Sequence, residues 1–213
     1  MKWLVIGDLH GRYEVAEAAL KEGFPTIFVG DYVDSYTRSI EDQLKTLDVV
    51  ITAVREDKAI ALMGNHERSY LFPGERCSGY KPALAMHLVH MKDVLLKELL
   101  PYTRQEGFLI THAGVNLHVL ERMNMTLEEY LEAGEFNHIG YARGGNAPLG
   151  GLYWNDFRYE FVPIPGVQQI FGHTRGYDIR SFDQKNWCID MLESAVDCKG
   201  LLIENGVAEI YPF

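Results

Sequence analysis

Short apolar runs, each closed by small or polar residues, punctuate this chain. Trp3 to Ile6, Thr26 to Val29, Lys58 to Met63, Gly107 to Thr111 and Val167 to Phe171 all have this character. Runs of this length bounded by turn residues read as buried strands. Between them the period changes. Tyr13 to Glu22 predicts a short helix with Val15, Ala18 and Ala19 inward. From Ser39, Ile40, Leu44, Leu47, Ile51 and Val54 recur at spacings of four and three and line one helical face. Ser39 serves as N-cap, with Asp42 three residues on. Leu84, Leu88, Met91, Leu95 and Leu99 form a second stripe, stopped at Pro101. With the turns at Phe72-Pro73-Gly74 and Ser78-Gly79, this stripe makes residues 68–106 read as a helical insertion. Thr126 to Glu129 is a capping box that opens another helix. The C-terminal part predicts strands at Trp187 to Asp190, Gly200 to Ile203 and Val207 to Ile210, the last two joined by an Asn205-Gly206 hairpin turn. A strand–helix–strand opening with acidic residues after both strands predicts an α/β layered fold. With no internal repeat, linker or low-complexity stretch, residues 1–213 are expected to form one domain.

Composition narrows the function classes. At 213 residues, 47% hydrophobic and 23% charged, the chain has ordinary globular make-up. A formal charge of -10 argues against broad nucleic-acid binding, which needs basic surface to displace counterions. It leaves room for an anionic substrate, because bound divalent cations invert the local potential. Cys77, Cys188 and Cys198 are an odd count without CxxC spacing, so zinc ribbons and disulfide frameworks are not expected and free core cysteines are. The apolar start is too short for a signal-peptide core, and nothing approaches the ~18 apolar residues of a membrane span. The expectation is therefore a cytoplasmic protein with no membrane partner.

The chemistry gathers where the apolar runs end. Gly7-Asp8-Leu9-His10-Gly11, Gly30-Asp31-Tyr32-Val33-Asp34, Gly64-Asn65-His66-Glu67, Thr111-His112-Ala113-Gly114 and Gly172-His173-Thr174 each follow a predicted strand. A carboxylate placed there lies at the rim of a sheet, where α/β enzymes put their sites. Asp8, His10, Asp31, Asn65, His112 and His173 mix hard oxygen with imidazole nitrogen, a set that suits two divalent ions such as Mn, Fe or Zn. Two ions roughly 3.5–4 Å apart can share a hydroxide, lower its pKa and clamp phosphoryl oxygens. Singly, each residue has an ordinary reading as a turn former or polar loop residue. The ordered set in its strand context carries the assignment.

On these blocks (GDLHG at 7–11, GDYVD at 30–34, GNHE at 64–67, THAG at 111–114 and GHT at 172–174) the chain resembles the calcineurin-like metallophosphoesterase superfamily. Within it the closest resemblance is to the phosphoprotein-phosphatase branch, with its small phage and bacterial serine/threonine phosphatases. The resemblance implies a four-layer α/β/β/α sandwich of two mixed sheets, with two metal ions at the sheet edges and Mn the first expectation. Asp8, His10 and Asp31 would hold one ion, and Asp31, Asn65, His112 and His173 the other. His66 would be the general acid that protonates the leaving alkoxide, and Asp34 would accept its other ring proton and raise its pKa. Glu67 is expected as a structural partner. The stretch from Arg143 to Asp156 looks like the family's Arg-containing loop running into a Trp-x-Asp segment, with Arg143 on the phosphate.

One departure stands out. This branch normally follows GDxxD with Arg-Gly, and that Arg is a second phosphate clamp, whereas Ser35-Tyr36 stands here. Arg38 is the candidate replacement. The implied activity is hydrolysis of phosphomonoesters, including phosphoserine and phosphothreonine, by a metal-bound hydroxide. The missing Arg keeps open a dinucleoside tetraphosphate or nucleic-acid-end phosphohydrolase, with Tyr70, Phe72 or Tyr80 as stacking faces. The expected partner is a phosphorylated small molecule, a nucleotide or a phosphoprotein. A non-catalytic binding module fits less well, because His66 and every expected ligand are in place.

Overall fold

The computed structural model describes residues 1–72, 74–75, 77–134, 138–191 and 198–213. Pro73, on which one predicted turn rests, lies outside them. Alternation along the strands sorts the side chains into layers. In β1 (Trp3–Ile6), β2 (Thr26–Phe28) and β3 (Ala59–Leu62), Leu4, Ile6, Phe28 and Ala61 join one core cluster, which also holds Ala16 and Ala19 of α1 (Tyr13–Lys21) and Leu47 and Val50 of α2 (Ile40–Arg55). The alternate residues Val5, Ile27 and Leu62 join a second cluster with Phe108, Ile110 and Ile170, from β6 (Phe108–Thr111) and β7 (Gln168–Phe171). Leu109, on the other face of β6, sits in the first cluster with Val119 and Leu120 of α5 (Leu117–Met123) and Tyr130 of α6 (Leu127–Ala133). Two sheets thus pack face to face with helices on their outer sides, the expected α/β/β/α sandwich. Each fully buried aliphatic or aromatic side chain contributes roughly 1.5–3 kcal/mol toward holding the layers together.

Both sheets are mixed. The first runs β11 (Val207–Pro212), β10 (Lys199–Glu204), β1, β2, β3 and β4 (Leu99–Leu100), with β1 to β4 parallel. The second runs β5 (Tyr102–Gln105), β6, β7, β9 (Asn186–Cys188) and β8 (Arg180–Ser181), with β6, β7 and β9 parallel. Parallel strands end on one side, so the loops after β1, β2 and β3 open together, as do those after β6 and β7.

Several local expectations hold. Ser39 accepts from the Asp42 amide in a capping box, and Thr126 does the same with Glu129. Asn205 and Gly206 both have positive φ, 52° and 76°, as a tight hairpin turn requires. Other expectations shift. Ala16 and Ala19 are the buried residues of α1, with Val15 half-buried against the same core and Ala16 in place of Ala18. In α2 the expected Leu47 and Ile51 are buried and Ile40, Leu44 and Val54 pack half-buried against the core, while Gln43, Thr46, Val50 and Ala53 widen the buried face. A helix α3 (Asn65–Leu71) starts directly after Gly64. The second stripe belongs to α4 (Pro82–Glu98), but Leu99 leaves it to pair with β3. Residues 68–106 therefore include β4 and β5 as well as helix, one strand for each sheet.

Candidate metal centre and active site

All six expected ligands follow strands whose ends converge. Asp8 and His10 follow β1, Asp31 follows β2 and Asn65 opens α3 after β3, while His112 and His173 follow β6 and β7. All six are at least nine-tenths buried. The loops are tied to one another: the amides of Leu9 and His10 both donate to the Asp31 carbonyl, at 3.0 and 2.8 Å. His10, Asp31, Asp34 and His173 have φ of 44°, 54°, 65° and 65°. Left-handed backbone at four non-glycine residues of one site is strain of the kind that functional loops hold. The motif glycines allow close approach. A Cβ on Gly64 would lie 2.1 Å from Asp31 Oδ1, and one on Gly172 would lie 1.9 Å from Asp8 Oδ1. Both carboxylates are therefore seated against bare backbone.

Asp31 is the hub. Its Oδ2 lies 3.4 Å from His112 Nε2, 3.8 Å from His66 Nε2 and 3.9 Å from His10 Nε2. Among the described residues, His10, Asp31 and His66 form one group of metal-capable atoms within 4.8 Å, and Asp31, His112 and His173 form another. Asn65 Oδ1 sits 2.8 Å from His112 Nε2 and 2.9 Å from His173 Nδ1. Both oxygens of Asp8 receive the His173 amide at 3.1 Å.

The donor set fits two divalent ions. Atoms that share one ion at about 2.1 Å stand roughly 3–4 Å apart, the separations seen around Asp31 Oδ2. His10 Nδ1 is held by the Val33 carbonyl at 2.7 Å and His112 Nδ1 by the Val29 carbonyl at 2.9 Å. Each ring thereby keeps its Nε2 lone pair for the site, the usual arrangement for a metal-binding imidazole. His173 Nε2 is buried with no hydrogen-bond partner among the described residues.

Electrostatics support the same picture. Burial alone would raise the Asp31 carboxyl, but the neighbouring His112, His66 and His10 hold it well below the usual carboxylate range. Burial, with Asp190 and Asp31 as repelling neighbours, pushes Asp8 up. Burial lowers His10 to about 3, aided by His66, and also lowers His173, aided by Arg143. His112 goes the other way: burial lowers it, but the Asp31 charge and hydrogen bond outweigh that and raise it.

His66 differs from the other histidines. Its Nδ1 pairs with Asp34 Oδ2 at 2.8 Å, and its Nε2 faces Asp31. Burial lowers its pKa, but the Asp31 charge and the Asp34 hydrogen bond and charge outweigh that and raise it to about 9. Asp34 is itself fixed: its amide donates to Gln43 Oε1 at 2.7 Å, and the Tyr70 hydroxyl donates to its Oδ1. Tyr70 stacks on Tyr80 with centroids 4.7 Å apart, and its hydroxyl accepts the Lys81 amide. These two rings brace the His66–Asp34 pair. They do not line the cavity as stacking faces for a substrate. Glu67 is fully buried and accepts the amides of Asp31, Tyr32, Val33 and Gly64.

Arg143 reaches the site. Its Nε pairs with Asp156 Oδ2 at 2.9 Å and an Nη2 donates to Thr174 Oγ1 at 2.9 Å, so the glycine-rich loop and the Trp-x-Asp segment are joined by an ion pair. Trp154 packs edge-on to His173, with centroids 5.8 Å apart. The structure does not bring Arg38 to the cavity: its guanidinium pairs with Glu14 on α1. Ser35 is fully buried, and its Oγ accepts the amides of Thr37 and Arg38 at 3.1 and 2.9 Å. The cavity over the ligands has a volume of about 560 Å³ and is also walled by Arg158, Arg175 and the exposed Tyr36. Neither Arg158 nor Arg175 stands out in the sequence, since single arginines after a loop carry no spacing signal. Tyr70 was legible only as an aromatic. Cys77 and Cys188 are free thiols, both pushed up to about 12 by burial, which makes them inert.

The sequence profile of the calcineurin-like phosphoesterases matches residues 1–177. The chain belongs to that family. Its chemistry is metal-dependent hydrolysis of phosphoric esters. Among solved structures, this phosphoesterase is similar to a cold-active protein-tyrosine phosphatase from the psychrophile Shewanella sp., at 16% identity and a TM-score of 0.64, covering 98% of this chain and 80% of that one. A protein serine/threonine phosphatase from Saccharomyces cerevisiae, with similarity to human phosphatase PP5, aligns at 13% identity and a TM-score of 0.63, covering 100% of this chain and 79% of the other. These identities speak to the fold. No curated protein sequence matches the chain. Among the described residues, no helix is long and apolar enough to cross a membrane.

Proposed function

We propose that this phosphoesterase hydrolyses phosphomonoesters with His66 as general acid. One observation carries the reading: His66 is clamped by Asp34 at 2.8 Å on one nitrogen and presents the other to the cavity beside the Asp31-centred ligand groups. Two bound divalent ions, with Mn our first choice, would supply an acidified water and neutralise charge on the phosphoryl oxygens. Asp8, His10 and Asp31 would hold one ion, and Asp31, Asn65, His112 and His173 the other. The chain's own groups do the rest. Arg143 binds and orients the phosphoryl group, which raises the local concentration of correctly aligned ester. Asp34 fixes the tautomer of His66, and Nε2 gives its proton to the departing alkoxide.

Phosphopeptides are the first substrates to test, because the two structural relatives above are named for protein substrates. A second reading has an observation of its own. Arg158 and Arg175 add two guanidinium groups to the cavity wall beyond Arg143, and Tyr36 stands two-thirds exposed at its edge. That surplus of cations and a free aromatic face suit a nucleoside oligophosphate. A panel of phosphoserine, phosphothreonine and phosphotyrosine peptides against diadenosine tetraphosphate, scored by kcat/KM, separates the two. The first reading predicts preference for the peptides, and preference for the tetraphosphate overturns it in favour of the second.

A further inference from the structure

The loop after β2 lacks a cationic side chain aimed at the cavity. Ser35 is turned into its own loop as an acceptor for two amides, and Arg38 is committed to Glu14. Of the three arginines on the cavity wall, Arg158 is committed to the Arg175 carbonyl, so a dianionic phosphoryl group held by Arg143 alone would have one guanidinium partner from one chain segment. We infer that Arg175, on the turn after β7, is the second guanidinium that grips the phosphoryl group. The inference rests on the phosphatase reading above and deepens it by naming a binding residue outside the motif blocks.

Three observations carry it. Arg175 walls the same cavity as His66 and Arg143. Its Nη2 lies 3.2 Å from His10 Nε2, one of the nitrogens that the donor geometry gives to a metal ion. The side chain therefore already reaches the ligand cluster. His10 Nε2 would give its lone pair to a bound ion, and Arg175 would then stand within reach of an anion at the ions. The root of the side chain is also fixed. Thr174 N donates to the Gly172 carbonyl at 2.8 Å, Gly176 N to the Asp190 carbonyl at 3.0 Å, and the Arg158 guanidinium caps the Arg175 carbonyl. A tethered backbone limits the directions the side chain can take and so lowers the entropic cost of binding.

The chemistry favours phosphate over imidazole. A guanidinium presents parallel N–H donors that match two phosphoryl oxygens, and the charge-assisted pair is about twice as strong as a neutral hydrogen bond. Arg143 arrives from the glycine-rich loop and Arg175 from the second sheet, so the two grip from different segments. Lys would keep the charge but not the fork.

The test is calorimetric titration of inorganic phosphate into the metal-loaded protein, with bound metal measured on the same samples. Arg175→Gln is expected to weaken phosphate binding by about 10–100-fold while keeping the metal ions, with Arg175→Lys recovering part of the loss. In turnover, KM should rise more than kcat falls. Phosphate affinity within about twofold of wild type in Arg175→Gln would overturn the inference. So would a loss that follows loss of metal, since Arg175 would then be a prop for His10. Wild-type protein that binds phosphate but hydrolyses no phosphoric ester would instead defeat the catalytic reading and leave the Arg175 comparison standing.

Discussion

In the proposed mechanism His66 gives its proton to the leaving alkoxide while Asp34 holds its other ring nitrogen at 2.8 Å. Removing the acid should cost kcat about 10²–10⁴-fold in His66→Asn. The loss should shrink for esters whose leaving group is acidic, because those need no proton. Equal losses on p-nitrophenyl phosphate and on an alkyl phosphate would count against the role. Asp34→Asn removes a charge and an acceptor that both raise the His66 pKa. The alkaline limb of the kcat profile should therefore move to lower pH, and an unmoved limb would show that another group sets it. His10 makes a stability prediction for the chelated protein. Its folded pKa is lowered to about 3 from an ordinary 6.5. Its contribution is fully present above pH 6.5 and is lost as pH falls from there toward 3, because the unfolded chain takes up a proton that the folded one refuses. Asp8 and Asp190, both raised, work in the opposite direction. The clean readout is the difference between wild type and His10→Gln in denaturant melts. That difference should shrink as pH falls from 7 to 5, and a constant difference would contradict the burial argument.

Elements fix what residues alone cannot. Glu67, in the first turn of α3, gathers four amides from two loops. Glu67→Ala would orphan them and should cost at least about 3 kcal/mol in chelator, read from denaturant midpoints. A cost under about 1 kcal/mol would show that water replaces the carboxylate. Much of this was legible in the sequence. The ligands were readable because each follows an apolar run, and parallel strands bring such ends to one side. Ser39 and Thr126 declared their helices because capping is local chemistry. What escaped was non-local. β4 pairs through only Leu99 and Leu100, too short for any period to show. The left-handed backbone of Asp31 and His173 leaves no mark in composition. Arg38 looked available by chain distance, but Glu14 on α1 claims it. Tyr70 and Arg175 reach the site through tertiary packing that sequence spacing does not encode.

At the scale of the whole molecule, two mixed sheets pack face to face so that the carboxyl ends of β1, β2, β3 and β7 surround one cavity. The chain carries a formal charge of -10, yet its proposed substrate is an anion. The arginines on the cavity wall and the divalent ions that the ligand cluster fits resolve that opposition locally. A two-ion centre ties phosphoester hydrolysis to metal stoichiometry. Chelated protein should be titrated with Mn²⁺ while p-nitrophenyl phosphate hydrolysis is followed. Activity should be absent at the start, rise with added metal and level off at two equivalents per chain. Activity that persists in strong chelator, or metal that binds at two equivalents without hydrolysis of any phosphoric ester, would contradict it.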